Sequence, residues 1–151
     1  MDIKIDFEGL DELIKTCEEL GTEKELEDTN KKILKECGDL AYKTVKTLIH
    51  RSKDNSKSGP QHKGGPRLVP PGHAADNVPQ PKFKKIKGRQ YVIIGWDKSD
   101  NSEYWYMKIE EWGSSQRPPH HSFGKVNKIL RKQYDNIAKK QYENLIKKLE
   151  R

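Results

Sequence analysis

An irregular basic segment, residues 51–88, divides the chain and limits what it can fold into. It contains nine Lys or Arg residues against two Asp, a balance that equals the +7 net charge of the whole protein. Six of the eight prolines also lie in it, among Ser, Asn and Gly residues. Such a composition does not sustain the apolar period of a helix or a strand. The sequence therefore predicts a neutral folded body that carries a long, positively charged loop.

The folded body has little apolar material for its length. Apolar residues make up 32% of the 151 residues and charged residues 35%, against typical values of about 45–50% and about 25%. A chain of this length predicts one domain, residues 1–151, with residues 51–82 inserted as an extended loop. Because the core is small, we expect the protein to bury further surface by assembling with copies of itself.

The part of the chain before the basic segment predicts one strand and two helices. Apolar residues alternate over residues 3–7, which is the period of a half-buried strand. They then take helical spacing over residues 10–20 and again from residue 22 to about residue 50.

The second of these helices has two informative positions. Thr22 and Glu25 match a capping box, which indicates that the helix begins there. Gly38 lies inside the helix and indicates a place where another backbone packs closely.

The part of the chain after the loop predicts a hairpin and a final helix. Residues 83–86 and 91–96 have strand character and flank the turn Lys87-Gly88-Arg89, while residues 104–112 are ambiguous between a strand and a short helix. The last helix is predicted over residues 122–150. Its apolar stripe consists of Val126, Ile129, Leu130, Tyr134, Ile137, Ala138, Leu145, Ile146 and Leu149. The fold class predicted is α+β, a small antiparallel sheet packed against long helices.

The two cysteines and the overall hydropathy indicate a protein made in the cytosol. Cys17 and Cys37 both occupy inward positions of predicted helices, so we expect reduced, buried thiols and no disulfide framework. The N-terminus has no apolar core of a signal peptide, and no apolar run approaches the roughly 20 residues of a membrane span. We therefore expect no association with a membrane.

Candidate metal and phosphate sites are weak. His120 and His121, with His62 and His73, lack a nearby Cys or a second His four residues away on a helix, which a metal site would favour. Lys63-Gly64-Gly65 lacks the strand, the Lys-Ser/Thr ending and the helix start of a phosphate-binding loop. We expect neither a metal nor a cofactor.

A catalytic pair of acids is not indicated either. Glu110 and Glu111 are adjacent, so their side chains point apart on a helix or a strand. They are unsuited to act together on one substrate as acid and base. The sequence predicts a protein that is not an enzyme.

The basic segment contains the candidate contact residues. These are Lys53, Lys57, Lys63, Arg67, Lys82, Lys84 and Lys85. Phe83 is the one aromatic residue of the segment, which argues against recognition of bases and leaves non-specific contact with nucleic-acid phosphates.

Two alternatives need no nucleic acid. The segment is a solubilising loop, or it binds an acidic neighbour. Residues 1–50 hold thirteen acidic and eight basic side chains, so another copy of the chain offers such a neighbour. A contact of that kind would be head to tail, and head-to-tail contacts close into rings.

Two segments of the chain resemble one family of tailed-phage proteins. The segment YWYMKIEEWGSS at residues 104–115, followed by Arg117-Pro118-Pro119 and Phe123, is similar to the signature of the neck or tail-completion proteins, often called minor tail components. The opening IKIDFEGLDEL at residues 3–13 resembles the strand and first helix of that family.

The resemblance implies a structural virion protein at the head–tail junction, made in the cytoplasm of a bacterial host. Copies would form a ring of six or twelve, in contact with other neck and tail-tube proteins, with genome DNA passing through its lumen. The family motif carries over to Glu111, Trp112, Gly113 and Phe123 as candidate interface residues. Gly113 is expected to have a positive φ or to allow a close approach, Phe123 to lie in the core, and Trp112 to be either a core residue or an interface anchor.

Overall fold

The computed structural model describes residues 10–49, 74–96, 104, 107–116 and 118–150. Its elements are α1 (Asp11–Leu20), α2 (Glu23–Leu48), a 3₁₀ turn (Ala74–Asp76), β1 (Lys82–Ile86), β2 (Arg89–Ile93), α3 (Met107–Trp112) and α4 (Ser122–Leu149). β1 and β2 form an antiparallel sheet that packs against the long helices, so the predicted α+β class is confirmed. The strand predicted over residues 3–7 lies outside the described residues.

The capping box predicted at the start of α2 is present. The Thr22 hydroxyl accepts a hydrogen bond from the Glu25 backbone N–H at 3.2 Å, and the Glu25 carboxylate accepts one from the Thr22 N–H at 3.0 Å. Each side chain satisfies a backbone donor that the first turn of a helix leaves without a partner.

Helix α4 packs against both α1 and α2, and Tyr142 contacts the two helices at once. Its hydroxyl donates to Asn30 Oδ1 on α2 at 2.7 Å, and its carbonyl accepts from the Cys17 thiol on α1 at 3.6 Å. Cys17 and Cys37 are free and buried, as predicted. Burial raises the pKa of Cys37 to about 12, so this thiol is neutral at physiological pH and serves as a small core residue.

The sheet meets α2 at Gly38. A Cβ at this position would lie 2.9 Å from Val92 Cγ2 on β2 and 3.6 Å from Pro81 Cβ. A close approach is therefore present at Gly38, but the nearest neighbour is the side chain of Val92 and not the backbone that was predicted. Absence of a side chain on the helix lets β2 lie directly on α2.

The last part of the predicted loop belongs to the core. Within the 3₁₀ turn Ala75 is fully buried, and Val78, which follows it, is also buried. This turn packs on α2, where small apolar side chains contribute to the core without forming a period that sequence analysis could detect. Of the extended loop predicted over residues 51–82, residues 51–73 lie outside the described residues, residues 74–76 form the 3₁₀ turn, and Lys82 begins β1.

The apolar stripe predicted for α4 is wrong at Ile129, whose side chain is 54% exposed. Tyr142, which the stripe omitted, is buried. A 28-residue helix that packs on both α1 and α2 does not present one constant stripe to the core.

Within the described part of the chain, no helix combines the length and the apolar character needed to cross a bilayer.

Candidate functional site

The motif residues come together at the α3–α4 joint, which we define as residues 107–116 and 118–124. Gly113 ends α3 with φ +77°, and its N–H donates to the Ile109 carbonyl at 2.7 Å. The positive φ predicted for Gly113 is confirmed. A left-handed glycine after the last helical residue is a common helix ending, because it closes the last turn without a Cβ clash.

Glu111 caps the helix that follows. Its side chain is 3% exposed, and its two carboxylate oxygens accept hydrogen bonds from the backbone N–H groups of Phe123 and Gly124, each at 3.0 Å. The N-cap residue of α4, His121, supplies no side-chain cap. Glu111 therefore takes the capping role from the preceding helix, and its negative charge lies at the positive end of the α4 dipole.

Backbone bonds close the same turn. The N–H of His120 donates to the Glu110 carbonyl at 2.9 Å, and the N–H of His121 donates to the Glu111 carbonyl at 3.2 Å. His121 has φ +52°, a left-handed conformation that is uncommon outside glycine. These bonds and the Glu111 cap hold α3 and the start of α4 as one unit.

Phe123 packs this unit against the segment that follows β2, and its predicted core position is confirmed. Its ring lies 6.3 Å from the ring of Trp96, edge to face. A Cβ at Gly95, which has φ +93°, would be 2.5 Å from the Phe123 ring, so only glycine fits there. The neighbouring Ser122 hydroxyl donates to the Leu48 carbonyl at the end of α2.

Trp112 is the motif residue that faces solvent. Its side chain is 65% exposed, so the core alternative for Trp112 is wrong and the interface alternative stays a prediction. Its ring meets the His121 ring edge to face at 5.7 Å. Ile109, one helical turn earlier on α3, is also exposed, and the pair forms an apolar surface on the outside of the α3–α4 joint.

The histidines and acids of the α3–α4 joint do not converge on a common point. Glu111 points inward to α4, whereas Glu110 Oε2 lies 3.4 Å from His120 Nε2. Among the described residues, no group of three His, Cys, Asp or Glu side chains is arranged to hold a metal ion. His62 and His73 lie outside the described residues.

Three of the predicted basic contact residues lie on β1, and Lys53, Lys57, Lys63 and Arg67 lie outside the described residues. Lys82, Lys84 and Lys85 are all exposed. Lys85 is bound within its own chain, because its Nζ lies 3.2 Å from Glu27 Oε1 on α2. The hydrogen bond and charge of Lys85 lower the pKa of the Glu27 carboxyl.

The hairpin, Lys82–Ile93, has two different faces, and we call it the basic hairpin. The inner face lies on α2: Val92 contacts Gly38, Lys85 bonds to Glu27, and the Gln90 amide donates to the Glu27 carbonyl at 3.4 Å. The strand register places three cross-strand pairs on the outer face, which are Lys82 with Ile93, Lys84 with Tyr91, and Ile86 with Arg89.

Sequence reasoning missed two features of these regions. Nothing in the spacing of Glu111 and Phe123 indicates a cap, because the capping residue comes from the preceding helix. The hairpin was predicted from residues 83–86 and 91–96, but the alternation of charged and apolar side chains on its outer face was not inferred from it. Comparison with family models, with curated proteins and with solved structures finds no match for this chain.

Proposed function

We propose that this chain is a non-enzymatic structural protein of a tailed phage or a phage-like particle. In this proposal, copies form a ring of six or twelve at the head–tail junction, as a neck, tail-completion or tail-terminator protein. The ring contacts other neck and tail-tube proteins, and genome DNA passes through its lumen. The protein is made in the cytoplasm of the bacterial host and functions in the virion.

The observation that carries this proposal is that the motif residues of the α3–α4 joint have two different roles. Three of them stabilise the fold: Glu111 caps α4, Gly113 ends α3 in a left-handed conformation, and Phe123 packs in the core. Both oxygens of the Glu111 carboxylate bind backbone N–H groups, so this acid is suited to building the turn. The motif that carries the resemblance thus specifies a rigid turn.

That rigid turn supports an exposed aromatic side chain. Trp112 lies directly between Glu111 and Gly113 at the end of α3, and backbone hydrogen bonds hold this end of the helix. Exposed tryptophans on rigid elements are suited to interfaces, because a large area is buried there at a small entropic cost. We assign Trp112, with Ile109 beside it, to a contact between protein subunits of the ring or its neighbours.

Mass measurement combined with negative-stain imaging of the purified protein tests the proposal. We expect rings, and we expect Trp112→Ala to weaken their association by about 2 kcal/mol or more while the fold is retained. Ile129→Ala is the matched control, because Ile129 is also an exposed apolar residue but lies outside the α3–α4 joint. A protein that remains monomeric at every concentration contradicts the proposal.

A second candidate function is non-specific binding of nucleic acid by a monomer or a dimer. The exposed cations of the basic hairpin favour it. Binding of duplex DNA whose affinity falls steeply with salt, by a protein that forms no rings, would support this function over the first.

A further inference from the structure

The outer face of the basic hairpin combines charge with apolar surface in a regular way. Each of its three cross-strand pairs places one cation opposite one apolar or aromatic side chain. Ile86 is 54% exposed at the end of this face. The face therefore offers an apolar contact and positive charge side by side.

This part of the chain carries no negative charge of its own. From residue 77 to residue 96 there are five cations and no Asp or Glu. All five cations lie within the eight residues from Lys82 to Arg89, and all are exposed. A partner with negative charge is the electrostatic complement of this surface.

The opposite charge is concentrated on another surface of the same chain. We call this surface the acidic helix face; its exposed residues are Asp11, Glu12, Glu18 and Glu19 of α1 and Glu23 of α2. Residues 10–28 hold eight acidic side chains and two lysines. Leu20, at the end of α1 among these acids, is 48% exposed. The acidic helix face thus also presents charge beside an apolar side chain.

We infer that the outer face of the basic hairpin binds the acidic helix face of a second copy of this chain. The inference rests on the proposed ring function and names the contact between its subunits. The two surfaces differ, so the contact is head to tail, and repetition of such a contact closes a ring.

The apolar residues favour a second copy over nucleic acid as the occupant. Phosphates bind cations but leave an exposed isoleucine without a partner, whereas Leu20 on the acidic helix face gives Ile86 an apolar neighbour. The hairpin already makes a contact of this charge type within one chain, where Lys85 on its inner face binds Glu27. The outer face repeats that chemistry toward the neighbouring copy.

Two charge-reversal variants test the contact. The hairpin variant combines Lys84→Glu with Arg89→Glu, both exposed and on the outer face. The helix variant combines Glu18→Lys with Glu19→Lys, where cations suit the C-terminal end of the α1 dipole. The charge control combines Lys128→Glu with Lys132→Glu on the exposed side of α4, and changes the net charge as the hairpin variant does.

We expect each reversal alone to weaken self-association, measured by sedimentation at low ionic strength, by roughly 100-fold or more, because like charges then face each other across the contact. An equimolar mixture of the hairpin variant and the helix variant should restore assembly. In that mixture the alternating contacts are of two kinds: in one the substituted positions have opposite charges, and in the other both surfaces are unmodified. The charge control should assemble like the unmodified protein, and in a mixture with the control the helix variant should not enter closed rings.

Three results would overturn this inference. If rings persist in both reversal variants, the proposed contact is wrong but the ring function is not contradicted. Failure of the mixture to assemble, when the unmodified protein forms rings, also removes the contact. Loss of duplex DNA affinity in the hairpin variant, with rings intact, assigns the outer face to nucleic acid. An unmodified protein that never assembles contradicts the ring function itself.

Discussion

The α3–α4 joint and the basic hairpin each contain a left-handed residue other than glycine, but the two are held in different ways. His121, with φ +52°, lies in a turn fixed by the buried Glu111 carboxylate and by backbone bonds. Lys87, with φ +51°, lies at an exposed hairpin tip beside Gly88, with φ +78°, and positive φ at both central residues suits a tight hairpin.

The difference separates two uses of charge. The acid in the α3–α4 joint is buried and satisfied by backbone donors, so it contributes to the fold. The cations of the basic hairpin are exposed at the surface, so their charges contribute little to the fold. Substitutions of the buried residues of the α3–α4 joint should therefore lower stability, and those on the outer face of the hairpin should change association.

The largest effect on stability is expected from Phe123→Ala. Removing this buried ring leaves a cavity beside Gly95 and Trp96 and should lower the free energy of unfolding by about 3–5 kcal/mol. Urea denaturation measures the change. Ile129→Ala on the same helix is the control, and should stay within about 0.5 kcal/mol. A loss below about 1 kcal/mol for Phe123→Ala would show that the ring is not part of the core.

Glu111→Ala tests the cap itself. It leaves the N–H groups of Phe123 and Gly124 without their acceptors at a buried helix end, and should lower the free energy of unfolding by about 2–3 kcal/mol. Glu111→Gln keeps one acceptor oxygen and should fall between Ala and the unmodified protein. If Ala and Gln are both as stable as the unmodified protein, the α3–α4 joint is not held by this carboxylate.

Gly38→Ala tests how the hairpin is seated on α2. Overpacking against Val92 costs about 1–3 kcal/mol, which exceeds the roughly 1 kcal/mol gained from replacing a helical glycine. Thermal unfolding should therefore show a net loss of about 1 kcal/mol. In a Val92→Ala background the clash is removed, and the same substitution should become neutral or stabilising. Equal losses in both backgrounds would contradict the observed contact.

The smallest effects on stability are expected at the exposed positions. Trp112→Ala and the hairpin variant should each change the free energy of unfolding by no more than about 0.5 kcal/mol. Both should nevertheless alter the mass of the assembled protein. A large loss of stability with no change in association would show that these exposed positions contribute to the fold and not to a contact.

Local signals predicted much of the helical frame from the sequence. The Thr22 and Glu25 pattern located the start of α2, because a capping box depends on residues three positions apart. Lys87-Gly88 located the hairpin turn, because a tight turn also depends on residues close together in the sequence. Gly38 indicated where the sheet packs on α2.

The remaining features depend on distant contacts. Glu111 caps α4 from across a turn, and Ala75 becomes buried only because α2 passes over a short irregular segment. Exposure of Trp112 is likewise set by how α3 is oriented, which the spacing of its apolar residues left open. Sequence analysis therefore identified the motif residues but could not distinguish those that build the turn from the one that faces solvent.

The position of Tyr142 has a consequence for how the protein is synthesised. Its contact with Cys17 joins residues 125 positions apart, and its contact with Asn30 joins residues 112 positions apart. Because α1 and α2 complete their packing only against α4, we expect a chain still emerging from the ribosome to expose the apolar sides of its first two helices. Folding of this domain then requires that α4 has been synthesised, and α4 is the element that completes it.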